Sequence, residues 1–122
     1  MKPITLESAI ASIQRAVDEK GPDYIYQPIK VKDVAESVCA LFDDNGNCSC
    51  LVGYVLFDHG YTHEMVISQN LDGIYSIEFA RHSAGLSFEI TDAALAVLGR
   101  LPSMQDNGKT WGECLTFARS YL

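Results

Sequence analysis

The ten residues Cys48-Ser49-Cys50-Leu51-Val52-Gly53-Tyr54-Val55-Leu56-Phe57 decide which fold this chain takes. As a strand they close a hairpin with the segment before them. As a helix they form the centre of an α-helical core. Their β-branched content is low, with only Val52 and Val55. Leu51 with Val55, and Val52 with Leu56, are i,i+4 pairs, and Gly60 stands where the residue after a helix C-cap belongs. The reading taken is a buried helix over about residues 49–59.

Working outward, Asp43-Asp44-Asn45-Gly46-Asn47 is a tight-turn signal, because Asn and Gly tolerate positive φ. It closes a short strand candidate at 38–42. Tyr24-Ile25-Tyr26 reads as another short strand, kept at an edge by Pro28, and 29–37 is weakly patterned. Residues 5–20 form an amphipathic helix with Leu6, Ile10, Ile13 and Val17 on one face, capped by Thr5 and stopped by Gly21-Pro22.

Downstream, short helices are expected at 62–68 and 73–84. A longer one is opened by Thr91-Asp92, with Ala94, Val97, Leu98 and Leu101 on its apolar face and Pro102 kinking or ending it. Thr110-Trp111-Gly112-Glu113 is a capping box for a last helix with the stripe Trp111, Leu115, Ala118 and Leu122. The fold class that follows is mainly α, a compact domain of five to six short helices with at most one small β-hairpin, and residues 1–122 make a single globular domain.

Charge is unevenly placed. From Asp33 to Glu78 there are eight carboxylates and no Lys or Arg, in a chain of net charge −7. That balance argues against direct nucleic-acid binding, which depends on Lys and Arg neutralising phosphates. No apolar run is long enough to span a membrane, and the N-terminus has no apolar signal-peptide core. A cytoplasmic location with reduced thiols is the expectation.

The same stretch holds Cys39, Cys48, Cys50, His59 and His63. Zinc knuckles usually take C-x(2–4)-C, whereas Cys48 and Cys50 are one residue apart, and Gly60 interrupts the His59/His63 pair. A calcium loop starting at Asp43 lacks the Gly at its sixth position and the Glu at its twelfth, which are Cys48 and Tyr54. A thiol beside His59 is the remaining chemical option, since a helix start at Cys48 or Cys50 would lower a thiol pKa. Cys114 reads as a packed residue. No Walker lysine or nucleophile signature is present. No cofactor or metal is implied.

Three blocks carry a resemblance: Gly21-Pro22-Asp23-Tyr24-Ile25-Tyr26, Cys48-Ser49-Cys50-Leu51-Val52-Gly53-Tyr54-Val55-Leu56, and Gln105-Asp106-Asn107-Gly108-Lys109-Thr110-Trp111-Gly112-Glu113. Together they resemble small uncharacterised proteins encoded by phages and prophages of actinobacteria, in order and spacing across most of the chain. Tyr54 stands where those proteins often have His, and 27–37 differs. The resemblance implies a small phage accessory protein and assigns no catalytic residue.

The functional expectation is a non-enzymatic protein of the infected cell. It binds a host protein with a basic surface, through Asp43, Asp44, Asp58, Glu64, Tyr54 and Tyr61, as an inhibitor or nucleic-acid mimic in one version. The alternative is a zinc- or thiol-dependent site built on Cys39, Cys48, Cys50 and His59.

Overall fold

Four helices carry the part of the chain that a computed structural model describes, which is residues 2–29, 42–61, 64 and 89–122. They are α1 (Leu6–Lys20), α2 (Leu51–Asp58), α3 (Asp92–Asp106) and α4 (Trp111–Arg119). Among the described residues there are no strands, only isolated bridges pairing Ile4 with Ile90, Ile25 with Thr110 and Phe42 with Cys48. The strand expected at 24–26 is therefore a single bridge at Ile25, and among the described residues the hairpin is the one pair of Phe42 with Cys48. The helices expected at 62–68 and 73–84, and most of the strand candidate at 38–42, lie outside the described residues.

The deciding stretch is a helix. Cys48 makes the last hairpin contact with Phe42, and α2 begins three residues later. Leu51 through Leu56 are all buried, so α2 is apolar all round and forms the centre of the core. Its end is a Schellman motif. Gly60, at φ 95°, donates its N–H to Phe57 O, and Tyr61 donates to Leu56 O.

The other helices follow their expected faces. In α1, Leu6, Ile10, Ile13 and Val17 are buried, and Thr5 and Ser8 cap each other's backbone. In α3, Ala94, Val97, Leu98 and Leu101 are buried, and Thr91 Oγ1 accepts from Ala94 N. Pro102 does not end α3. The helix runs four residues further with Pro102 inside it and buried, although proline withdraws one ladder donor and crowds the carbonyl four residues back. The Thr110/Glu113 capping box forms as read. Leu122 is a correction: α4 stops at Arg119, so Leu122 leaves the stripe and is 73% exposed.

Two interhelix devices were not legible beforehand. Gln105, fully enclosed, accepts the Leu51 N–H at 3.3 Å and the Trp111 Nε1–H at 3.0 Å on one oxygen, and donates to Leu101 O at 3.2 Å. The first amides of α4 are taken by a remote segment, Trp111 N–H by Tyr24 O and Gly112 N–H by Pro22 O, both at 2.8 Å. Trp111 packs edge-on against Tyr24 and Tyr54, with ring centroids 4.6 and 5.7 Å away.

Two substitutions test this packing. Gly112→Ala places a methyl group 2.7 Å from Pro22 O and should destabilise the protein by about 1–3 kcal/mol. Gly99→Ala, on open space within α3, should instead stabilise it by about 0.5–1 kcal/mol. Urea unfolding of both variants gives the comparison, and equal midpoints would contradict the close approach at Gly112.

Gln105→Leu leaves two buried N–H donors without their acceptor and should cost about 2–4 kcal/mol. Near-native stability with unchanged Trp111 emission would show that Gln105 is dispensable.

Candidate functional site

The turn before α2 is held by one carboxylate. Asp43 Oδ1 accepts from Asn45 N at 2.9 Å and Asn47 N at 3.0 Å, and the Asp43 N–H donates to Asn47 O at 2.9 Å. Gly46 closes the loop at φ 83°. Asp43 thus works as an Asx cap on its own turn, and Asp44 is exposed at the tip.

Facing this turn, α1 supplies a cation. The Arg15 guanidinium makes a bidentate pair with Asp58, at 2.7 and 3.1 Å, and lies 4.9 Å over the Tyr54 ring. A looser contact at 3.7 Å joins it to Glu19. The space between is a cleft of about 440 Å³, lined by Arg15, Glu19 and Lys20 of α1, Asp43 and Cys48 of the turn, and Tyr54 and Phe57 of α2. Phe57 is half-exposed at its edge.

Burial pushes the Tyr54 phenol pKa above its ordinary value, and the Glu19 carboxylate adds to the shift. The Cys48 thiol pKa is also raised by burial, and the opposing pull of Arg15 is smaller. This reverses the expectation of a helix start that activates a thiol here, because desolvation of the thiolate outweighs the nearby positive charge. Cys114, packed in α4, is pushed up to about 11 by burial, with Glu113 adding to it.

Of the residues read from sequence as partner-binding, Asp43 and Tyr54 line the cleft, Asp58 joins it through Arg15, and Asp44 is on the same turn. Tyr54 and Tyr61 are core side chains, 3% and 2% exposed, so Tyr54 meets the cleft only at its floor and Tyr61 is enclosed. Tyr61 is folded inward by the Schellman motif, and Tyr54 by its packing on Trp111. Glu64 is helical and exposed but does not line the cleft. Asp33, Glu36, Asp72 and Glu78 lie outside the described residues.

The thiol alternative loses its base. His59 is buried, its Nδ1 donating to Val55 O at 2.6 Å and its Nε2 bonded to Ser8 Oγ at 2.8 Å. A carbonyl can only accept, which fixes the proton on Nδ1. Nδ1 closes onto the last turn of α2 and Nε2 joins α2 to α1, so both ring nitrogens are engaged within the fold. Among the described residues no three of His, Cys, Asp and Glu converge to hold a metal ion, and Cys39 and His63 lie outside them.

Sequence reasoning missed Arg15 and Glu19. They sit outside the base-free stretch, at i,i+4 spacing on the polar side of α1, where nothing marks a residue that will meet α2. Compared with known protein families, curated proteins and solved structures, the chain matches none.

The thiols give a direct check. Cys48 is half-buried while Cys50 and Cys114 are enclosed, so iodoacetamide at about pH 8 should label Cys48 before Cys50 and Cys114, and those two only on unfolding. Peptide mapping reads the order, and equal labelling of the three would contradict the packing.

The raised Cys48, Cys114 and Tyr54 values mean that the folded state keeps protons which the unfolded chain releases. Their contribution to stability is complete below about pH 8.5 and is lost progressively as pH rises past about 9–10. The urea midpoint should fall between about pH 8 and about pH 10.5, and a constant midpoint would contradict the shifts.

Proposed function

We propose that the protein acts without catalysis, as a small accessory binding protein of the phage type its sequence blocks resemble, and that it engages a basic patch on a host protein. The observation that carries this reading is the locked turn at 43–47, which presents exposed Asp44 at its tip and, through Asp43, lines a cleft shared with the half-exposed ring of Phe57. A turn already fixed by Asp43 loses little entropy when it docks. The carboxylate at its tip steers a basic surface, and the aromatic ring across the cleft supplies an apolar anchor.

The aromatic contribution shifts accordingly from the tyrosines to Phe57. Tyr54 supports the cleft from beneath, holding Arg15 against Asp58. Among the described residues no helix is long and apolar enough to cross a membrane.

Affinity capture from an actinobacterial lysate tests the reading, with the wild type compared against an Asp44→Asn/Phe57→Ser double variant whose circular dichroism is unchanged. Capture of a basic protein at about 50 mM salt, lost at about 500 mM salt and weakened in the variant, is expected. Capture indifferent to both salt and the two substitutions, or no capture at low salt, would end the acidic-turn reading.

A further inference from the structure

We draw no further inference here: the strongest candidate, the half-buried Cys48 thiol beside Arg15 in the cleft between α1 and the 43–47 turn, is a lone cysteine within the site already described, and nothing else in the structure points to a ligand for it.

Discussion

One buried amide ties three of the four helices together. A glutamine removed from water is costly unless its polar atoms are bonded, and Gln105 meets that demand with groups from separate elements. Its oxygen takes the first N–H of α2 and the indole N–H of Trp111 at the start of α4, while its nitrogen donates within α3. The α2 side is telling, because the Cys50 side chain at the N-cap makes no capping hydrogen bond to the helix. An apolar helix with no cap of its own borrows an acceptor from its neighbour, so the position of α2 and the rotamer of Gln105 determine each other.

The three blocks that carry the sequence resemblance meet at this point. Gln105 and Trp111 come from the last block, Leu51 and Tyr54 from the middle one, and Pro22 and Tyr24 from the first. Gly112 is needed there because any side chain would strike Pro22 O. The physical content of these blocks is therefore a seam of the core, where close backbone approach and paired donors restrict the residue type. A likeness in them speaks first of shared packing, although Cys48 and Tyr54 of the middle block also line the cleft.

Local signals in the sequence were enough for the helices, because caps and periodicity depend on neighbours within one turn. Thr5, Thr91 and Thr110 cap as read, and Gly60 ends α2 as read. The hairpin-or-helix ambiguity at 48–57 had a physical source: Cys48 pairs as a strand residue, and the helix follows almost at once. What could not be read were long-range partners. Gln105 looks like a polar residue near a helix end, and only tertiary packing turns it into an acceptor for two other elements. Arg15 and Asp58 are 43 residues apart and no pattern joins them. Tyrosine tolerates both surface and core, so nothing local marks Tyr54 and Tyr61 as buried, and their burial depends on Trp111 and on the turn after α2.

The base-free stretch does not keep its own charge. Asp58 is matched by Arg15, a cation contributed from outside the stretch, and at short range that pair is nearly neutral. Exposed pairs of this kind add about 0–1 kcal/mol, though bidentate geometry and the Tyr54 ring beneath hold this one in place. Asp43 spends one oxygen on its own turn. With fields screened over about 8–10 Å in physiological salt, a basic partner of the proposed kind would meet the turn tip at Asp44 before the cleft. Two carboxylates that count toward the acidic total along the chain, Asp43 and Asp58, are thus engaged within the fold, by the turn's own amides and by Arg15.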